Sequence, residues 1–242
     1  DCGVGAMETY KIKDEGDLKN FFVKKLPTTY IIEEFLEGYI VSFDGICGKE
    51  GNVVIALQET FPKPIAEIKF RDSDLHYFAQ ADMPEEFRKM GERVVRSFGI
   101  SKRCFHIEFF CLTEDKPGLA NRGEIIALEC NMRSPGGNTP DLLQAALNAS
   151  YYDIYADVII DNQTDIDTNN EHFVAISVDR KARYRYIHSF QEIKEKYKDQ
   201  LFEHGFYSPD IAEAMGEEFF YGKFKTLNEA IDFQQFIDKK RQ

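Results

Sequence analysis

The stretch "FHIEFF", residues 105–110, sets the interpretation of this chain, because it is a hydrophobic strand that carries two polar residues. Strand side chains alternate between the two faces of a sheet, so His106 and Glu108 share one face. Phe105, Ile107 and Phe109 share the other face. An ordinary solvated strand face would produce this pattern, and so would a functional site.

The next predicted strand, within "IALECNMRSPGG" (126–137), favours a functional site. Regular alternation predicts two faces, one with Ala127, Glu129, Asn131 and Arg133 and the other with Ile126, Leu128 and Cys130. If the two strands pair through the connection at 113–123, Glu108 lies beside Glu129.

Two neighbouring carboxylates repel each other, and a divalent cation between them removes that cost. Oxygen ligands from Glu108, Glu129 and Asn131 suit Mg²⁺ or Mn²⁺ better than zinc. Arg133 would then face an anionic phosphate or carboxylate. The glycine pair Gly136–Gly137 would turn backbone amides toward a ligand. The alternative is a solvent-exposed strand face on which Arg133 forms an ion pair with one of the two glutamates.

Composition limits the possible partners. The chain has 242 residues, is 43% hydrophobic and carries a formal net charge of -12. Binding to phosphate backbones needs an excess of Lys and Arg, so we expect neither a nucleic acid nor a membrane partner. The five cysteines are scattered without metal-ligand spacing, which is typical of reduced thiols in a cytoplasmic protein.

The remaining patterns predict an α+β fold, with a mainly antiparallel sheet and flanking helices. A helix is predicted over 82–99, with Asp82 as its N-cap, and another begins near Thr139. Capping boxes at Ser189–Glu192 and Thr226–Glu229 predict two more helices. Strands are predicted at 28–36, 39–47, 52–59, 64–70, 104–112, 124–131 and 216–224, with a hairpin formed by 172–178 and 182–188.

The order of these motifs resembles the ATP-grasp superfamily, in its carboxylate–amine ligase and biotin-carboxylase-like branch. The resemblance covers residues 1–150. It rests on a Gly-rich phosphate loop (Gly3, Gly5, Ala6), an adenine hinge "EEFLEG" (Glu33, Glu34, Phe35, Leu36 and the two residues that follow), the pair His106 and Glu108, and the series Glu129, Asn131, Arg133 before the glycine pair.

The resemblance implies an ATP-dependent ligase that joins a small-molecule carboxylate to an amine or thiol through an acyl phosphate. Glu108, Glu129 and Asn131 would hold Mg²⁺ or Mn²⁺ on the ATP phosphates, and Arg133 would be catalytic. The glycine loop, the hinge and His106 would bind the nucleotide. The implied domains are a lid remnant (1–36), a central subdomain with the metal site (37–160) and a smaller α+β C-terminal region (161–242), with a homodimer as one possible assembly.

Two departures from the family pattern leave alternatives open. The acid expected two residues after the hinge glycine is Ile40 here, and the phosphate-binding lysines would precede the start of the sequence. Because the chain begins at Asp1 without a methionine, we expect an N-terminally truncated piece that is inactive alone. The alternatives are a biotin-carboxylase-type subunit and a nucleotide-binding sensor without catalysis.

Overall fold

The structure, a computed structural model, describes residues 9–63 and 73–241. Eight strands of these residues form one sheet, in the order β5–β4–β1–β2–β3–β6–β8–β7, and each neighbouring pair is antiparallel. The strands are β1 (Gly38–Cys47), β2 (Val53–Phe61), β3 (His76–Gln80), β4 (Arg103–Leu112), β5 (Ile125–Asn131), β6 (Val174–Arg180), β7 (Leu201–Phe206) and β8 (Glu218–Phe224).

Helices flank this sheet, which confirms the predicted α+β class. They are α1 (Glu15–Lys24), α2 (Glu85–Ser97), α3 (Thr139–Leu147), α4 (Tyr151–Asp161), α5 (Phe190–Lys196), α6 (Pro209–Met215) and α7 (Leu227–Ile237), with a 3₁₀ turn at Lys49–Gly51. Within the described parts of the chain, none of these helices has the length and apolarity that a bilayer crossing requires.

The core lies on both faces of the sheet, because its central strands are buried on both sides. Phe43 of β1 and Phe105 of β4 pack with Phe87 of α2 on one face. On the other face, Leu57 of β2 packs with Leu142 of α3 and with residues of α4. A third cluster joins β6 and β8 to α5 and α7. The arrangement leaves the polar positions of β1, β2 and β4 on the face that carries α3 and α4.

Capping residues mark where several helices begin, as predicted. The Ser189 and Thr226 hydroxyls cap α5 and α7, and Glu192 and Glu229 complete both capping boxes. The helix predicted from Asp82 begins instead at Glu85, and Pro84 occupies the N-cap position without a side-chain hydrogen bond.

Two predicted strands are wrong. Residues 28–36 form no strand, and Ile31 and Ile32 are 79% and 88% exposed, so this apolar run is not part of the sheet. Residues 182–188 form turns with one bridge, from Tyr186 to Lys240, and β6 pairs with β3 and β8 instead. The strand predicted at 64–70 lies outside the described residues.

The C-terminal residues extend the same sheet. β6 pairs with β3, β8 with β6 and β7 with β8, so the strands after residue 173 continue the sheet that β1–β5 begin. The sequence patterns did not indicate α1, β3, α4, α6 or β7. The domain boundaries at 36/37 and 160/161 stay predictions.

Candidate functional site

The alternation predicted for "FHIEFF" is present in β4. Phe105, Ile107 and Phe109 are buried in the cluster that α2 covers. His106 and Glu108 point to the opposite face, where His106 is buried and the Glu108 side chain is 18% exposed. A hydrophobic strand therefore places one acidic side chain at the boundary between the core and solvent.

The β4–β5 pairing opposes the two predicted glutamates directly. Glu108 is the register partner of Glu129, and His106 is the partner of Asn131. Paired residues on antiparallel strands project to the same face, with Cβ atoms about 4.5–5.5 Å apart. Glu129 is exposed and Asn131 is half-buried, so this end of the site is open to solvent.

A register shift follows this pair and corrects the predicted faces of β5. Phe109 pairs with Ala127 and Phe110 with Ile126, so Leu128 is the additional residue of a β-bulge. The bulge reverses the alternation, and Ile126 rather than Ala127 shares the face of Glu129. The prediction that Ala127 lies beside Glu129, with Ile126 on the opposite face, is therefore wrong.

Arg133 and the glycine pair follow β5 in an exposed turn. The Arg133 Nη1 atom donates a 2.9 Å hydrogen bond to the Ser134 carbonyl oxygen. Gly137 has φ of 59°, a left-handed conformation that favours glycine. The turn leads into α3, so the Arg133 guanidinium is tied to its own loop and remains accessible to an anion.

His106 is held between two carboxylates. Its Nδ1 lies 2.5 Å from Asp44 Oδ1, and its Nε2 lies 3.1 Å from Glu108 Oε1. Burial alone would lower the pKa of His106, but the charge of Asp44 and the hydrogen bonds to Asp44 and Glu108 outweigh it and raise the pKa to about 11. The imidazole is therefore protonated at neutral pH and donates from both ring nitrogens.

Sequence reasoning did not identify three further polar residues of this face. Ser42 and Asp44 lie on β1 and Glu59 lies on β2, and all three are fully buried. The Ser42 hydroxyl donates to Asp44 Oδ2 and lies 3.5 Å from Glu59 Oε2. The signal was available, because "YIVSFDG" places two polar residues at alternate positions of a hydrophobic strand, on one face.

Glu59 is electrostatically unusual in this group. Burial, followed by the nearby charge of Asp44, raises the pKa of Glu59 well above its ordinary value. Its Oε1 atom is buried and has no hydrogen-bond partner among the described residues. Glu59 therefore favours its neutral form in the folded protein.

The predicted hinge lies beside the β4–β5 connection. Lys116 of that connection donates to the Phe35 carbonyl oxygen at 3.2 Å and forms a 3.0 Å ion pair with Glu34. The Thr113 amide donates to the Glu37 carbonyl oxygen at 3.1 Å. The Lys11 Nζ atom lies 3.3 Å from the centre of the Phe35 ring. These contacts hold the exposed segment at the end of β4 near Leu112.

The structure describes only some of the other predicted nucleotide-binding residues. Glu33 is exposed and Leu36 is half-buried in the hinge segment. Gly3, Gly5 and Ala6 of the predicted phosphate loop lie outside the described residues. The structure thus brings together His106, Glu108, Glu129 and Asn131, with Arg133 directly after them, and places the hinge at one edge of this group.

The donor set fits a hard divalent cation. Glu108 and Glu129 supply carboxylate oxygens and Asn131 supplies an amide oxygen, all from one face of paired strands. The Glu129 carboxylate forms no hydrogen bond or ion pair with the described residues, so it is available. A second group, Asp44, Glu59 and His106, has ligand atoms within 4.8 Å of one another.

Comparisons with known proteins find similar structures but no similar sequence. No protein-family model matches the sequence, and no curated protein matches it significantly. The structure is similar to a phosphoribosylaminoimidazole carboxylase ATPase subunit from Aquifex aeolicus, with a TM-score of 0.54 and 15% identity over 85% of this chain and 60% of that chain.

Two further solved structures are similar. N5-carboxyaminoimidazole synthetase from Staphylococcus aureus gives a TM-score of 0.60 and 12% identity over 93% of this chain and 56% of that chain. The biotin carboxylase domain of Hydrogenobacter thermophilus 2-oxoglutarate carboxylase gives 0.53 and 12% identity over 86% and 47%, respectively. The chain therefore spans about half to three fifths of the length of these proteins.

These proteins are ATP-grasp enzymes, and the structural similarity to them extends over most of the chain. At sequence identities of 12–15% this similarity shows the fold alone. The eight-stranded antiparallel sheet with its flanking helices therefore has the fold of the ATP-grasp superfamily.

Proposed function

We propose that this chain contributes the metal- and nucleotide-binding face of an ATP-dependent carboxylate ligase. The observation that carries the proposal is the direct opposition of Glu108 and Glu129 across β4 and β5, at the open edge of a buried polar group. Like charges directly opposite each other destabilise a strand pair. A cation that both carboxylates bind would remove this repulsion.

The residues present fit Mg²⁺ or Mn²⁺ held by Glu108, Glu129 and Asn131. When bound, such a cation neutralises charge on the phosphates of ATP and orients them for transfer. The protein's part is to place three oxygen donors on rigid, paired backbone. His106 contacts Glu108, and the β4–β5 pairing determines where Glu129 and Asn131 lie relative to it.

An apolar row beside the carboxylates supports nucleotide binding. Ile40, Phe110 and Ile126 are successive register partners on β1, β4 and β5, and they share the face of Glu108. This row lies between the carboxylate pair and the hinge segment. A purine ring against the row, with its edge toward the backbone at 33–36, would direct the phosphates to the carboxylate pair.

Arg133 supplies the positive charge for the reacting anion. Transfer would begin with attack of a substrate carboxylate oxygen on the γ-phosphorus, with ADP as the leaving group. Attack of an amine nitrogen on the carbonyl carbon would then expel phosphate and release a proton. An arginine beside the metal donors can stabilise the acyl phosphate and the developing charge of both steps.

A carboxylase-type reaction is the second candidate. The Hydrogenobacter thermophilus biotin carboxylase domain is described in complex with MgADP, ADP and bicarbonate, so bicarbonate is included among the carboxylates to be tested. Amine or thiol acceptors, a cytoplasmic location and a homodimer remain part of the proposal. We expect no nucleic acid or membrane partner, because the chain carries a net charge of -12.

The test is ADP release by the full-length protein, because the chain alone is expected to be inactive; it is assayed with MgATP and a panel of carboxylates, each supplied with and without an amine. We expect release that depends on one carboxylate, is supported by Mg²⁺ or Mn²⁺ and is lost in Glu108→Gln. Titration calorimetry with MgADP is the binding control. Protein that neither binds MgADP nor releases ADP with any member of the panel would contradict the proposal.

A further inference from the structure

His106 connects the buried part of the site to its open edge. Its two ring nitrogens contact Asp44 and Glu108, so neither is left to contact a nucleotide directly. We propose that His106 is a positioning residue, which Asp44 anchors and which holds the Glu108 carboxylate in line with Glu129. The inference rests on the proposed function, because it specifies how the cation site of that function is built.

Asp44 is suited to act as the anchor. Its side chain is fully buried, its Oδ2 accepts from the Ser42 hydroxyl, and its Oδ1 accepts from His106. Asp44 and His106 are also register partners on β1 and β4, so the backbone determines their separation. A buried carboxylate with both oxygens engaged cannot rotate without losing a hydrogen bond, which costs about 1–3 kcal/mol.

Glu108 requires such a support. It faces Glu129, and an unsupported carboxylate would turn away from its neighbour to reduce repulsion. The 3.1 Å contact from His106 Nε2 engages Glu108 Oε1, which leaves Oε2 as the atom directed at a cation. Partners that orient metal ligands in this way typically account for about 10–100-fold in metal affinity.

The same residues could instead form a buried metal centre, since Asp44, Glu59 and His106 have ligand atoms within 4.8 Å of one another. The geometry favours the positioning role. The 2.5 Å separation of His106 Nδ1 and Asp44 Oδ1 is that of a hydrogen bond and leaves no space for an ion between the two atoms.

Two substitutions of His106 separate its two contacts. In His106→Asn the amide nitrogen can occupy the place of Nδ1, which retains the donor to Asp44 and removes the donor to Glu108. In His106→Gln the longer side chain can place its amide nitrogen near Nε2, which retains the donor to Glu108. The readouts are the dissociation constant of Mn²⁺ by electron paramagnetic resonance at saturating AMP-PNP, and the melting temperature.

We expect His106→Asn to weaken Mn²⁺ binding by about 10–100-fold and His106→Gln to restore most of the affinity. Equal Mn²⁺ affinity in both variants and the wild type would overturn the inference, as would equal losses in both variants. Protein that binds no Mn²⁺ even as the wild type would refute the proposed function itself. A third outcome would refute the positioning role alone. In it, the wild type binds Mn²⁺, Glu108→Gln does not, and His106→Asn binds Mn²⁺ as tightly as the wild type.

A second measurement needs no variant. Long-range ¹H–¹⁵N spectra of the wild-type imidazole should show the Nε2 resonance of His106 shifting when Mg²⁺ and AMP-PNP are added, because Glu108 then shares its charge with the cation. The Nδ1 resonance, which faces the buried Asp44, should move much less. Unchanged Nε2, or zinc or manganese that copurifies stoichiometrically and is lost in Glu59→Gln, would overturn the inference.

Discussion

Glu108 of β4 and Glu129 of β5 are register partners, and the pairing of the two strands shifts by one residue immediately after them. The shift leaves Leu128 unpaired and aligns Ile126 with Phe110. Without it, Ala127 would take that place beside the carboxylates. The bulge therefore places the carboxylate pair and the apolar row of Ile40, Phe110 and Ile126 on the same face, and bulges commonly adjust side-chain direction at functional sites.

In the full-length protein, Glu129→Gln should abolish most of the activity while leaving the fold intact. The change retains the size of the side chain and one carbonyl oxygen, but it removes a charge that would stabilise phosphoryl transfer. We expect ligation-dependent ADP release to fall by about 10²–10³-fold, as for other single contacts to a developing charge. The melting temperature should not fall, because Glu129 is exposed and its substitution relieves the repulsion with Glu108.

The control for this substitution is Glu85→Gln on α2, whose side chain is exposed on a different part of the fold. Glu124 is less suitable, although it lies just before β5. Its carboxylate accepts a 2.6 Å hydrogen bond from the Asn121 amide and stabilises the turn before the strand. Equal activity of Glu129→Gln and Glu85→Gln would show that Glu129 is an ordinary surface residue.

Glu59→Gln should change how stability depends on pH. Burial raises the pKa of Glu59 in the folded protein, so the folded state keeps a proton that the unfolded chain releases above its ordinary value of 4.5. The contribution of Glu59 to stability is thus present at low pH and is lost as pH rises, by at most about 1.4 kcal/mol per pH unit. Glutamine does not titrate, so the stability of the Glu59→Gln variant lacks this pH-dependent loss.

Denaturant unfolding between pH 5 and pH 8 tests this expectation. The difference in unfolding free energy between Glu59→Gln and the wild type should grow in favour of the variant as pH increases. Exposed Glu86→Gln is the matched control and should give a constant difference. A constant difference for Glu59→Gln as well would show that Glu59 ionises normally in the folded state.

Gly91→Ala should destabilise the protein, although alanine is the better helix former by about 1 kcal/mol. A Cβ at Gly91 of α2 would lie 2.3 Å from the ring of Phe43. That ring is stacked on Phe105 at 5.4 Å and cannot move aside without disturbing the core. Overpacking of this kind costs about 1–3 kcal/mol, so packing outweighs helix propensity.

The measurement is the urea midpoint of Gly91→Ala against Gly136→Ala. Gly136 has a negative φ, and no atom lies within 4 Å of a Cβ built on it, so its substitution should change stability by less than about 0.5 kcal/mol. A stabilised Gly91→Ala would mean that α2 packs farther from β1 than the structure shows.

Lys116→Met should loosen the hinge without reducing global stability. Lys116 is partly exposed and holds the Phe35 carbonyl oxygen and the Glu34 carboxylate, and surface pairs of this kind contribute about 0–1 kcal/mol. We expect faster hydrogen exchange over residues 33–37 and a KM for ATP raised several-fold. Lys19→Met, which removes the exposed pair with Glu15 on α1, should change neither quantity. Unchanged exchange at the hinge in Lys116→Met would show that other contacts position this segment.

Several features of the site follow from the sequence alone, because they depend on neighbouring residues. The alternation in "FHIEFF" places His106 and Glu108 on one face wherever the strand lies in the sheet. The capping boxes at Ser189 and Thr226 likewise join residues three positions apart and mark two helices correctly.

Other features depend on which strands meet, and only the tertiary structure decides that. Asp44 and His106 are 62 residues apart in sequence, and their hydrogen bond exists because β1 and β4 pair in one register. The apolar run at 28–36 reads as a strand, yet the structure gives it no partner strand. The bulge at Leu128 has the same origin, since a one-residue shift is a property of two paired strands and reverses every side chain beyond it.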